Sequence, residues 1–177
     1  MTTDGSIQSL VNDSDSCTDA CYINMFANCT NLLIAPALPA STLAPSCYYN
    51  MFKGCTNLTN APLLPATTLV DSCYKNMFYG CTNLNSMNVK FVSWSPTNAT
   101  TDWLKNVATA GDFKKPNGLT NTTGVSNIPT NWTSIDNTPI ENPLLSDVSG
   151  ILIPGEIYTL QVKLTNAESL PSSTVND

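Results

Sequence analysis

The 177-residue sequence contains no histidine and no arginine, and only 11% of its residues are charged. Without histidine there is no Ser-His-Asp or Cys-His arrangement for nucleophilic catalysis, and no imidazole ligand for a metal. The glycine-rich patterns that hold dinucleotides (G-x-G-x-x-G) and phosphates (G-x-x-x-x-G-K) are also missing. We therefore expect the protein not to be an enzyme, and to have no catalytic residue and no cofactor.

Positive charge is scarce, because seven lysines oppose thirteen acidic residues and the net charge is −6. A phosphate-binding surface needs clustered lysine or arginine, and here the lysines are scattered along the chain. Nucleic acid and anionic membranes are accordingly poor candidate partners. No apolar run approaches the roughly 18–20 residues that a membrane span needs.

The opening stretch, "MTTDGSIQSLVNDSDS", has neither the basic region nor the apolar region of a signal peptide. The protein therefore either works without that export route or is a piece of a longer exported protein. Asp13, Asp15 and Asp19 suggest a calcium loop, but the central glycine and closing glutamate of an EF-hand are missing. A solvated loop with no metal is the interpretation we adopt.

What the sequence does contain is an internal repeat, in which a shift of 26 aligns the chain with itself. The shared pattern is a Cys-Tyr-x-Asn-Met-Phe run, a second cysteine, and then Thr-Asn-Leu. A tail, "APALPASTL" and then "APLLPATTL", occurs twice and decays in the third copy. A fixed period of this length is typical of solenoids, in which each unit stacks on the next.

Each unit predicts a short helix followed by a short strand. Cys47 and Met51 are four residues apart, as on one face of a helix, and Gly54 follows where a left-handed residue would end it. The stretch "TNLTNAPLLP" predicts a short strand and then an extended segment, since its prolines exclude a central strand.

The repeated cysteines have three possible roles: buried thiols, disulfides, or metal ligands. Two columns follow from the period: Cys21, Cys47 and Cys73, and Cys29, Cys55 and Cys81. We favour buried thiols, because free cysteine packs as a small apolar residue and the spacings of 4, 8 and 18 are unlike zinc motifs. Cys17 makes the total odd, so at least one thiol stays unpaired or pairs outside the chain.

The unit "MFKGCTNLTNAPLLP" resembles the BspA-like, or Treponema pallidum-type, leucine-rich repeat, A-F-x-x-C-x-x-L-x-x-V-x-I-P. Phe52, Cys55 and Leu58 carry the resemblance in the second copy, and it covers about residues 17–90. Two departures are the period of 26 rather than 23 and an additional proline. The resemblance implies an α+β fold, a short leucine-rich-repeat solenoid of helix-plus-strand units, on large surface or virion proteins of Bacteroidetes and their phages.

The remaining chain resembles the segment that closes such arrays. Residues 1–16 are a lead-in, 17–90 hold three repeats with the last incomplete, and 91–138 form a C-terminal cap. Within the cap we expect a helix over Thr101–Ala110, and we place Trp94, Trp103 and Trp132 in its core. Residues 139–177 predict a linker and a β segment that folds back, begins a further domain, or pairs with another chain.

The resemblance implies a non-enzymatic recognition or adhesion module of a bacterial cell-surface protein, which binds a host protein or glycan. Its alternative is a structural module of a phage virion, with assembly through residues 139–177. We expect the concave face of the repeats to bind, as in other solenoids. The outward positions that we assign to this face are Leu33, Ile34, Thr59, Asn60, Asn85 and Ser86.

Overall fold

The computed structural model describes residues 15–137, which run through parallel coils stacked one on the next. Ser16 pairs with Thr42, Asn60 with Ser86, and the indole of Trp94 reaches Thr120, so that each contact spans one period of the repeat. We number residues 16–41, 42–67, 68–93 and 94–119 as coils 1 to 4. Residues 120–137 form a final, partial coil. The predicted β segment at 139–177 lies outside the described residues.

The regular strands are short and belong to the last three coils. They are β1 (Ser86–Asn88), β2 (Gly111–Lys115) and β3 (Trp132–Asp136). They form one parallel sheet in the order β1-β2-β3. Ser86 lies opposite Asp112, one full period on, whereas Asp112 lies opposite Thr133, so the last step along the chain is shorter than the period.

The other side of each coil is a run of linked tight turns, which we call a turn segment. The four turn segments are residues 18–29, 44–55, 70–81 and 96–106. In the second, the amides of Tyr49, Met51 and Lys53 donate to the carbonyl three residues earlier. The intervening amides donate instead to the next coil, for example Tyr48 to Cys73 (3.0 Å).

Positive backbone φ angles recur every fourth residue of a turn segment. They fall on Ser46, Asn50 and Gly54 in coil 2, and on Ser72, Asn76 and Gly80 in coil 3. Asparagine and glycine adopt this left-handed conformation at low cost, and a tight turn with positive φ at its third residue requires it. The asparagine before each Met-Phe pair thus has a conformational role.

The prediction of an α+β fold with one short helix per unit is wrong. Residues 15–137 contain no helix, and their only regular strands are the three of the parallel sheet. A helix needs uniformly negative φ and amides that bond four residues back. Here Asn50 and Asn76 have φ of 54°, and the amides bond three residues back or to the next coil. Each pair of turns advances four residues, so the turn segment reproduces the four-residue spacing of a helix face.

The predicted helix at Thr101–Ala110 is wrong for the same reason. Residues 96–106 are the turn segment of coil 4, with positive φ at Asp102 and Asn106. Gly111, expected to end a helix, instead begins β2. The stretch that we predicted as a cap therefore contains one more complete coil.

Side chains at equivalent positions stack into columns inside the coils. The rings of Phe26, Phe52 and Phe78 are stacked with centroids 5.4–5.5 Å apart. A second column runs through Tyr22, Tyr48 and Tyr74 and ends on Trp103. Full burial of one such ring stabilises the fold by about 1.5–3 kcal/mol.

The three tryptophans attach the final coil. Trp103 is fully buried and its indole N–H donates to Asn127 (2.9 Å), while Trp132 donates to Ala108 (2.9 Å). The half-buried Trp94 donates to Thr120 (3.0 Å). These bonds satisfy the one polar atom of each ring, as burial requires.

The stacking leaves no space beside Gly111, and this yields a stability prediction. A Cβ at this position would overlap the main-chain carbonyl of Asn85 in the preceding coil and lie 2.8 Å from its carbon. Because a backbone group cannot rotate away, we expect Gly111→Ala to lower the free energy of unfolding by about 2–3 kcal/mol. Urea denaturation would measure it.

Gly118→Ala is the matched control. A Cβ there would meet only the Val92 side chain at 3.8–3.9 Å, an ordinary contact distance. We expect a change of less than about 1 kcal/mol. Equal effects of the two substitutions would contradict the close approach of coils 3 and 4.

Candidate binding surface

The residues assigned to a binding face fall on the sheet side of the coils. Asn60 bridges to Ser86, and the amide of Asn85 donates to the carbonyl of Thr59 (3.0 Å), which brings these four residues together. Leu33 and Ile34 occupy the equivalent positions of coil 1 and are 52% and 54% exposed. We call these six residues, together with Asp112 and Thr133, the sheet face.

Two further residues continue the sheet face, and the sequence reasoning missed both. Asp112 and Thr133 follow Ser86 in strand register and are exposed. Adding one period of 26 residues to Ser86 leads to Asp112. The same addition to Asp112 does not lead to Thr133, because the step between the last two strands is shorter than the period. Asp112 adds a carboxylate to the amide and hydroxyl groups of Asn60, Ser86 and Thr133.

The sheet face is graded from apolar to polar. Coil 1 contributes Leu33 and Ile34, and the later coils contribute amide, hydroxyl and carboxylate groups. Adjacent members of a parallel row are about 4.8 Å apart. The Asn60 amide donates to the Thr59 hydroxyl (2.9 Å), which fixes the orientation of both side chains. Such a row can exchange hydrogen bonds with an extended polymer and make apolar contacts at one end.

All seven cysteines lie in the described part of the chain, and each is a free thiol. Cys47, Cys55, Cys73 and Cys81 are fully buried. The thiols of Cys55 and Cys81 donate to the carbonyls of Phe26 (3.1 Å) and Phe52 (3.0 Å) in the preceding coil. The cysteines therefore fill the interior and also hydrogen bond between coils. No group of three or more His, Cys, Asp or Glu residues within 15–137 is placed to hold a metal ion.

Cys17, at the coil 1 end, differs from the deeper thiols. Cys17 is half-buried and its thiol donates to the Tyr48 hydroxyl (3.3 Å). Hydrogen bonding with the Cys47 thiol is the largest cause that lowers the pKa of Cys17; desolvation opposes the shift, and hydrogen bonds shared with Tyr48 and Cys21 add to it. Desolvation raises the pKa of Cys73 to about 11 and of Cys81 to about 12.

Beyond the sheet face, a depression of about 180 Å³ lies between coil 4 and the final coil. Its lining includes Leu104, Val107, Val125 and Pro129, and no charged side chain.

Among the described residues there is no helix long and apolar enough to cross a membrane. Comparison with protein-family models, with curated proteins and with solved structures found no match for this chain.

The buried thiols predict a loss of stability in alkali. Cys73 and Cys81 keep their protons in the folded state, whereas in the unfolded chain they lose them above pH 9. The unfolded state then binds fewer protons, so stability falls as pH rises from about 9 to about 11. Each thiol contributes up to about 1.4 kcal/mol per pH unit. Cys17, whose pKa is lowered, contributes with the opposite sign, mainly below about pH 9.

Urea denaturation of reduced protein at pH 7.5, 9 and 10.5 would measure this loss. The variant Cys73→Ala/Cys81→Ala removes two of the titrating groups, and we expect a shallower decline between pH 9 and 10.5. The same slope in both proteins would contradict the assignment. Titration of the denatured, unreduced protein should return seven thiols, and a much lower number would show disulfides.

Proposed function

We propose that this chain is a non-enzymatic recognition module that binds a protein or a glycan through the sheet face. The observation that carries the proposal is the register of Asn60, Ser86, Asp112 and Thr133 on four successive coils. Backbone hydrogen bonds between coils hold these groups at a fixed spacing, so little side-chain freedom is lost on binding. A polymer with regularly spaced hydrogen-bonding groups is the partner that suits such a row.

The proposal also places the module at a cell surface or in the extracellular space, as part of a longer protein. The resemblance of the repeat to BspA-like surface proteins supports this setting. The exposed Leu33 and Ile34 support a partner with an apolar portion, because large apolar side chains side by side at a surface favour contact with another molecule.

Binding of the labelled chain to intact bacterial and epithelial cells tests the proposal. The variant Asn60→Lys/Ser86→Lys places two long cations in the middle of the sheet face. We expect saturable binding to weaken at least about tenfold, equivalent to about 1.4 kcal/mol of binding free energy. Flow cytometry over a concentration series would measure it.

Asn57→Lys/Asn83→Lys is the matched control, because it adds the same charge at two exposed positions that are also one period apart. The proposal requires this variant to bind like the unmodified chain. Equal weakening by both variants would show a general charge effect and refute the sheet face. Absence of binding to any cell would refute the recognition module and favour assembly in a virion.

A further inference from the structure

A second, partly exposed surface lies on the turn segments and alternates aromatic rings with positive charge. Tyr49 and Lys53 lie on coil 2, Lys75 and Tyr79 on coil 3, and Lys105 on coil 4. The period of the repeat makes Tyr49 and Lys75 neighbours, and likewise Lys53, Tyr79 and Lys105. We call these five residues the tyrosine–lysine face. Half of the six lysines within residues 15–137 belong to it.

The lysines of this face contact rings on adjacent coils. The ammonium of Lys53 lies 5.3 Å from the centre of the Tyr79 ring, and that of Lys105 lies 5.7 Å from the same ring. Lys75 lies 5.7 Å from the centre of the Tyr49 ring. Two ammonium groups thus share one aromatic ring, and a third is held one coil earlier.

The positive charge of the face is incompletely compensated. Lys105 pairs with Asp102 (3.3 Å), but among residues 15–137 neither Lys53 nor Lys75 has a carboxylate within ion-pair distance. The contact with a ring leaves the charge of an ammonium in place. Lys53 and Lys105 lie one coil to either side of Tyr79, and an anion close to either ammonium would reduce the repulsion between them.

The number and spacing of the lysines on the tyrosine–lysine face favour some anionic partners over others. Nucleic acid would need a denser array of cations, because phosphates follow one another closely and binding rests on neutralising many of them. Here there are two positions for an anion, one at Tyr79 and one at Tyr49, on adjacent coils. Each is accompanied by a half-buried tyrosine ring, whose exposed part can contact the C–H groups of a sugar. A chain of sugars with spaced anionic groups matches both features.

We propose that the tyrosine–lysine face binds an acidic polysaccharide, with one carboxylate or sulfate at the Lys53 and Lys105 pair beside Tyr79 and a second at Lys75. The inference shares with the proposed function only the idea that the chain recognises an extended partner. It uses a different surface and different residues, so each of the two proposals can fail alone.

Isothermal titration calorimetry of the full chain in low and in high NaCl tests the inference. Heparin serves as the sulfated probe, alginate as the carboxylated probe and dextran as the neutral one. We expect binding to at least one acidic polymer that weakens in high salt, and no binding to dextran. Whether heparin or alginate binds more tightly distinguishes sulfate from carboxylate as the preferred anion.

Lys53→Gln/Lys105→Gln should weaken binding at least tenfold, whereas Lys53→Arg/Lys105→Arg should retain it. Lys90→Gln/Lys114→Gln is the matched control, since it removes the same charge from two exposed lysines outside the face. Equal weakening by both glutamine variants, or no binding to either acidic polymer, would overturn the inference. Cell binding that depends on the sheet face, without polysaccharide binding, would overturn this inference alone.

Discussion

In the turn segments of coils 1 to 3, alternate amides such as those of Tyr22, Tyr48 and Tyr74 donate hydrogen bonds to the coil that follows, and the rest of the architecture depends on this interaction. Tyr48, Asn50, Phe52 and Gly54 donate to Cys73, Lys75, Met77 and Tyr79 at 2.8–3.0 Å. The pattern is possible only because the residues with positive φ turn alternate peptide groups out of the local turn. Each coil thereby fixes the register of the next, and identical side chains are forced into contact. Small thiols and flat rings tolerate such stacking, which explains their repetition in the sequence.

The sequence predicted the period of the stack but not its local geometry. Cys47 and Met51 indicated a helix because a helix and a pair of linked turns both return to the same side after four residues. Ser46, Asn50 and Gly54 are residue types that favour turns and recur every four positions, and this recurrence was the signal against a helix. The sequence did not reveal coil 4 as a repeat, because Trp103 and Val107 stand where coil 3 has Met77 and Cys81. Both residues are apolar, so coil 4 keeps apolar side chains at its inward positions although the residue types have changed.

Only the part of the candidate surface that follows from the 26-residue period was predictable. The sequence placed Asn60 and Ser86 side by side, because that follows from the period alone. It could not place Thr133, since the final step is shorter than the period of the repeat. The tyrosine–lysine face was also invisible, because its lysines are scattered along the chain and only the stacking brings Lys53 and Lys105 to one ring. Rigid stacking thus gives the molecule two ordered surfaces of different chemistry, a polar sheet face and a cationic aromatic one.

NMR scalar couplings across hydrogen bonds would detect the bonds between turn segments directly. We expect couplings from the amide nitrogens of Tyr48, Asn50 and Phe52 to the carbonyl carbons of Cys73, Lys75 and Met77. The amides of Met51 and Lys53 should instead couple to the carbonyls of Tyr48 and Asn50. Couplings from each amide to the carbonyl four residues earlier would show helices and contradict the stacked turn segments.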